Sequence, residues 1–269
     1  MTFYSLMPLA PSLGVEVSGV DLAAPIDAEI GAALAEALAA HLVLVFRAQS
    51  LTPEQYLQAA RIFGPPMRQP YAQHPMPDYP DIGLVRHRGG RRAAETWHTD
   101  HTNRECPPAA TVLYGVEIPS AGGATSVANM RAAFADLPDE ERRQLAGLRT
   151  VNSLDRKRAE DSAKYGKPVV HPMVRTHPVH ETPAVFFHID EVLYIEGMTP
   201  EASKVYMREL LDRMIRPEIV YTHAWRKGDV LVIDDRATMY RAHDDDHRES
   251  RMLWRILVEG DRPTLAPFH

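Results

Sequence analysis

Apolar positions along the chain follow two periods. Between Asp27 and His41, "DAEIGAALAEALAAH" places apolar residues at helical spacing and runs into "LVLVF", so a helix feeding a buried strand is predicted. In "LTPEQYLQAARIFG", Thr52, Pro53 and Gln55 supply an N-cap, a first-turn proline and a capping-box partner, which predicts a helix to about Ile62. Thr199-Pro200 repeats the device before "EASKVYMRELLDRMI", and another helix is expected from Asp139 to Leu145. Elsewhere the pattern is that of strands. "TVLYGVEI", "ATSVAN", "VVHPMVRTH", "AVFFHI", "EIVYTHAW", "DVLVIDD" and "RMLWRILVEG" are short, rich in β-branched or aromatic residues, and separated by Gly, Pro and Asp. A mainly β chain with flanking helices follows, as a sandwich or jelly roll carrying a helical layer.

"DRKRAEDSAKYGK" breaks the pattern, being charged and poor in apolar residues, and predicts a mobile surface excursion or lid over 155–168. No internal repeat or linker is evident, so a single domain over 1–269 is expected, and 45% hydrophobic residues suffice for its core. A net charge of -6 gives no broad basic field for nucleic acid or an anionic membrane, which leaves a small-molecule substrate as the expected partner; a homo-oligomer is compatible with the sequence. There is no run of about 18 apolar residues and no basic-then-apolar leader. Cys106 is the only cysteine, so no intrachain disulfide can form, and a cytoplasmic protein is expected.

The candidate chemistry starts in "WHTDHTN". If this piece is extended, His98 and Asp100 share a face, which gives two members of the two-histidine, one-carboxylate set that leaves open positions on non-haem Fe(II). In a chain with 13 histidines, His-x-Asp alone is equally a turn or a surface pair. Gly122-Gly123-Ala124-Thr125 is a turn entering a strand and offers a hydroxyl that could donate to a carboxylate. Arg251, Leu253 and Arg255 alternate along one strand face, opposite the large apolar Met252, Trp254 and Ile256. Two inward guanidiniums suit carboxylate or sulfonate partners. "MYRAHDDDHR", from Met239 to Arg248, adds two histidines and three aspartates, the latter read as a solvated turn.

Together with "GVEVSGVDLAAPI", "HLVLVFRAQSLTPEQ", "PPAATVLYGVEIPSAGGATSVANM", "HPMVRTHP", "WRKGDVLVIDDR" and "RMLWRILVEGDRP", these segments make the chain resemble the taurine and 2,4-dichlorophenoxyacetate dioxygenase family of Fe(II)- and 2-oxoglutarate-dependent oxygenases over nearly its whole length. The resemblance implies a double-stranded β-helix, with His98 and Asp100 as the first two iron ligands, Thr125 and Arg251 binding the 2-oxoglutarate cosubstrate, and Arg255 at the place of a substrate-anion arginine. It implies oxidation, by default hydroxylation, of a small organic molecule, with anions among the candidates, coupled to conversion of 2-oxoglutarate to succinate and carbon dioxide. Taurine itself is not expected. Gln69, Ala72 and Ala94 stand where taurine enzymes contact their substrate, so Arg255 either holds a different anion or supports Arg251. His101 is a candidate pocket residue or a structural histidine, and His188, in "FFHID", is read mostly as core.

The chain departs from the family where the third ligand belongs. Asp-Asn-Arg, three residues and a histidine are expected there; the chain has "DDRATMYRA", with Asp235 for the asparagine and Tyr240 for the histidine, eleven residues before Arg251. His243 is an alternative ligand, but i and i+3 on a strand face opposite ways, so it would need a bulge. A tyrosinate ligand would require a phenol with a pKa of about 10 to lose its proton. With Asp100 it would bring two negative charges, favouring ferric over ferrous iron. An oxygenase with Tyr240 as ligand, a site with two protein ligands, and an impaired pseudo-oxygenase that only binds 2-oxoglutarate or a similar acid are the alternatives. The joint presence of His98, Asp100, Thr125, Arg251 and Arg255 favours an enzyme.

Overall fold

The unbroken apolar runs are strands buried on both faces. In the computed structural model, which describes residues 4–68, 75–87, 96–153, 167–243 and 249–266, the chain order is β1 (Ser5–Pro8), β2 (Val15–Ser18), α1 (Ala28–His41), β3 (Val43–Phe46), α2 (Pro53–Ala60), β4 (Pro66–Met67), β5 (Pro75–Met76) and β6 (Tyr79–His87). It continues with β7 (Ala110–Glu117), β8 (Thr125–Asn129), α3 (Met130–Ala135), α4 (Asp139–Ala146), β9 (Arg149–Asn152), β10 (Val169–Pro172), β11 (Val174–Thr176) and β12 (Pro183–Val185). The remainder is β13 (Val192–Ile195), α5 (Pro200–Met214), β14 (Val220–His223), β15 (Val230–Asp234), β16 (Thr238–Ala242) and β17 (Arg251–Val258).

Nine of the described strands form one sheet in the order β1-β2-β3-β15-β7-β17-β6-β5, with β4 on β17, and β14-β8-β16 form a smaller sheet. Period-two alternation divides the large sheet between two cores. Leu44, Phe46, Val112, Tyr114, Val230, Val232 and Ile256 meet Leu34 and Leu38 of α1 and Tyr56 and Ala60 of α2. Their neighbours Val43, Val45, Leu113, Leu231, Ile233 and Leu253 face inward, toward Val127 of β8 and Met239 and Tyr240 of β16, in a core that also takes Met207, Leu210 and Leu211 of α5. This is a jelly roll with a helical layer outside its large sheet, and β17 reaches the space between the sheets with Arg251, Leu253 and Arg255.

The capping chemistry appears as expected. Thr52 Oγ1 accepts from the Gln55 amide while Gln55 Oε1 accepts from the Thr52 amide, and Thr199 Oγ1 accepts from the amide of Ala202. Three local expectations differ. "VVHPMVRTH" is broken at Met173, whose amide leaves the β9 pairing and donates to Leu148, so β10 and β11 join different partners. "AVFFHI" is strand only to Val185, with one further bond in the same register from the Phe186 amide to the Met173 carbonyl. The short α3 was not expected; it is started by Asn129, whose side chain accepts from the amides of Arg131 and Ala132. The predicted lid over 155–168 lies outside the described residues except for Lys167 and Pro168. Among the described residues, no helix is long and apolar enough to cross a membrane.

Gly228 ties the turn before β15 to the rest of the large sheet. It has φ 85°, its carbonyl accepts from Gln49, its amide donates to Gly115, and a Cβ there would lie 2.7 Å from the Gln49 oxygen. Gly197 has the same φ of 85° with open space around it. Gly228→Ala should therefore lose more than about 2 kcal/mol in urea unfolding, against about 1 kcal/mol for Gly197→Ala. Equal losses would show that the close approach to Gln49 constrains nothing.

Candidate active site

Tyr240 and His98 exchange backbone hydrogen bonds: the His98 amide donates to the Tyr240 carbonyl at 3.1 Å and the Tyr240 amide to the His98 carbonyl at 2.7 Å. This isolated antiparallel bridge brings the residue-240 side chain beside the His-x-Asp segment. His98 Nδ1 lies 2.8 Å from the Thr96 carbonyl, which can only accept, so Nδ1 carries the proton and Nε2 keeps its lone pair. Nε2 lies 3.8 Å from Asp100 Oδ1. Only His98 is in the bridge, and Asp100 already begins a turn, so the pair converges through that turn rather than along a strand. The His98 ring packs between Tyr240, at 4.6 Å between centroids, and His188, at 4.9 Å.

Asp100 Oδ2 is 3.3 Å from Arg255 Nη1. Burial opposes ionisation of Asp100, but Arg255, the two neighbouring histidines and a hydrogen bond from Tyr240 outweigh it and hold the carboxyl well below its usual range. The Tyr240 phenol shifts the other way. Burial, then the nearby Asp100 and Asp235 carboxyls, push it well above its ordinary value. Its hydroxyl is 3.5 Å from Thr111 Oγ1, which donates to Asp235 Oδ2 at 2.7 Å. Asp235 is itself pushed well up by burial and by Asp100. The substituted residues Asp235 and Tyr240 thus meet at one threonine.

A cavity of about 110 Å³ between the sheets is lined by His98, Asp100, Thr111, Thr125, Tyr240, Arg251 and Arg255, with Val85, Leu113, Ala242 and Leu253 as its apolar walls. Arg251 is buried and donates from Nη2 to the Gly123 carbonyl at 3.1 Å, in the turn where Gly122 and Gly123 take φ 77° and 68° before Thr125. His243 does not join this group. It leaves β16 on the opposite face, with Nε2 2.7 Å from Ser126 Oγ, as the period of a strand requires. Among the described residues no three His, Cys, Asp or Glu side chains form a metal-holding group. His101 is buried at φ 53° beside Asp100 and does not line the cavity; burial lowers its pKa to about 4. Gln69, Ala72, Ala94 and the aspartates 244–246 lie outside the described residues.

Sequence reasoning passed over Thr111, Trp225 and Glu191, and gave His188 too little weight. Trp225 Nε1 donates to Thr125 Oγ1 at 3.0 Å. Glu191 accepts from Thr102 Oγ1 at 3.1 Å and from the Asn103 amide at 3.0 Å, so it holds the turn after Asp100. The one available clue was the flanking of "FFHIDE" by apolar residues, which marks a buried loop and so a buried Glu191.

His98 and Asp100 fit a metal: each has one atom fixed by a neighbour and presents the other toward a shared point beside the cavity. A jelly roll with this histidine–aspartate pair and two arginines at one cavity is the arrangement expected of a non-haem oxygenase. A family model described as the taurine catabolism dioxygenase TauD, TfdA family matches residues 5–257, and the chain belongs to that family. It is 31% identical over 273 residues to an alpha-ketoglutarate-dependent sulfate ester dioxygenase of Pseudomonas putida, covering 95% of this chain and 89% of the relative. It is 29% identical over 252 residues to an alpha-ketoglutarate-dependent 2,4-dichlorophenoxyacetate dioxygenase of Burkholderia sp., covering 84% of each. A solved taurine dioxygenase from Burkholderia xenovorans superposes with a TM-score of 0.85 at 31% identity, covering 97% of this chain and 90% of that one. The protein is thus a 2-oxoglutarate-dependent dioxygenase of small molecules, a class that works with Fe(II).

Burial raises the Glu191 pKa to about 8 from an ordinary 4.5, with the Asn103 amide opposing and Asp100 reinforcing the shift. Between those two values the unfolded chain has released this proton and the folded chain has kept it, so Glu191 makes stability fall as pH rises through the window. Glu191→Gln should gain on the wild type steadily from pH 5 to pH 8 in urea unfolding of metal-free protein. A constant difference across that range would contradict the assignment.

Proposed function

We propose that the protein oxidises, by default hydroxylates, a small anionic organic molecule, with His98 and Asp100 as its two protein ligands to Fe(II) and Tyr240 beside them as a neutral phenol. Bound Fe(II) would supply the site at which oxygen and 2-oxoglutarate react, giving succinate, carbon dioxide and an oxidising equivalent for the substrate. Thr125 and Arg251 present a hydroxyl and a guanidinium to the same cavity, a pairing that suits the 2-oxoglutarate carboxylate. Arg255 offsets the charge of Asp100, and the buried Arg251 guanidinium leaves the cavity with the positive field that an anionic ligand meets. The relatives named for sulfate esters and 2,4-dichlorophenoxyacetate act on anions, in line with that field. The single free cysteine suits work in the cytoplasm.

The observation that carries the Tyr240 assignment is its setting. Its hydroxyl lies 3.5 Å from Thr111 Oγ1 and within hydrogen-bonding reach of the Asp100 carboxylate, partners that a phenol O–H satisfies without losing its proton. It serves Asp100 as a hydrogen-bond donor and leaves the third protein position to water or cosubstrate.

Anaerobic titration with Fe(II) and 2-oxoglutarate tests both parts. Wild type should bind one iron and develop a weak visible charge-transfer band. His243→Ala should change iron affinity less than about threefold and Tyr240→Phe, which removes a hydrogen bond to Asp100, should lower it about tenfold, whereas His98→Ala and Asp100→Ala should each remove stoichiometric binding. Absence of stoichiometric iron in the wild type would end the Fe(II) assignment. Loss of iron in Tyr240→Phe alone would make Tyr240 a ligand, and loss in His243→Ala would overturn the strand-face argument.

A further inference from the structure

Thr125 is, among the described residues lining the cavity, the hydroxyl next to the Gly122-Gly123 turn, and what it offers a ligand depends on its own partners. A hydroxyl has one proton and can either donate it or spend it on a neighbour. The neighbour here is the indole of Trp225, whose Nε1–H lies 3.0 Å from Thr125 Oγ1 and is a donor without acceptor capacity. The indole therefore occupies an acceptor position on Oγ1 and cannot take its proton.

The indole is itself held on every side. Trp225 is buried, and the His223 ring meets it edge to face at 4.6 Å and 89°. His223 is fixed in turn, with Nδ1 3.0 Å from the Tyr221 hydroxyl and Nε2 3.2 Å from Asp229 Oδ2, and Asp229 is bound by Arg47 at 2.6 Å. On another side lies Gly115. A Cβ there would come within 3.2 Å of Trp225 Cε3 and 3.1 Å of the Arg226 carbonyl, so the bare glycine makes the seat for the ring.

We infer that Trp225 is a positioning residue for cosubstrate binding: by donating to Thr125 Oγ1 it reserves the threonine proton for an acceptor in the cavity, which makes this end of the site select a carboxylate. The inference rests on Thr125 and Arg251 being the 2-oxoglutarate receptor. It gives Gly115 and His223, neither of which lines the cavity, a role in setting the orientation of one hydroxyl.

Calorimetric titration of 2-oxoglutarate into Fe(II)-loaded protein under argon tests it as a double-mutant cycle. Thr125→Val and Trp225→Phe should each raise Kd about tenfold. The Thr125→Val/Trp225→Phe protein should be no weaker than Thr125→Val alone, because without the hydroxyl the indole has nothing to orient. A packing role would instead lower affinity in the valine background as well. An unchanged Kd in Thr125→Val would remove the receptor assignment itself. A weakened Thr125→Val with an unaffected Trp225→Phe, or losses that multiply in the double variant, would overturn the inference alone. Should Trp225→Phe fail to fold, replacing Trp225 by β-(3-benzothienyl)alanine keeps the ring and puts sulfur in place of N–H. The same tenfold rise is then expected, and wild-type affinity would overturn the inference.

Discussion

Two backbone hydrogen bonds, between His98 and Tyr240, decide what this site can be. They join an otherwise irregular segment to the small sheet and belong to the main chain, so they form whatever side chain stands at position 240. The strand period then points that side chain at Asp100 and sends its neighbours Arg241 and His243 to the other face, where Arg241 packs over the Trp97 ring at 4.9 Å. The geometry of this side-chain cluster is set by backbone register, and its chemistry by a side chain that the register does not choose.

Around that bridge the charges are arranged to leave a single ionised carboxylate among the donors. Arg255 and the histidines stabilise the anion of Asp100, and the same anion, with burial, keeps Tyr240 and Asp235 protonated. An asparagine at 235 would offer Thr111 a carbonyl acceptor just as a protonated aspartic acid does. Asp235 in this pocket accepts from Thr111 as an asparagine carbonyl would.

Much of the fold could be read from the chain because its strongest determinants are local. The capping box at Thr52, the N-cap at Thr199 and the two-faced apolar runs of β3, β7 and β15 depend on residues only a few positions apart. His98, Asp100, Thr125, Arg251 and Arg255 were found through motif and resemblance, and the cavity collects all five. What could not be read was contact between distant segments. Trp225 touches Thr125 across 100 positions, Glu191 touches Thr102 across 89, and Thr111 meets Tyr240 across 129, so no periodicity or spacing records them. β6 was hidden for a different reason: Pro80 and Gly83 interrupt its pattern, and pairing with β17 on one side and β5 on the other makes it a strand.

Because the bridge holds position 240 through its backbone, exchange of that side chain leaves the scaffold standing. In the standard genetic code the codons of histidine and tyrosine differ by one base, cytosine against thymine at the first position. A chain with histidine at position 240 and this chain therefore stand a single transition apart. The bridge would bring either side chain to the same point beside His98 and Asp100, so the smallest step that mutation offers exchanges a phenol for an imidazole there.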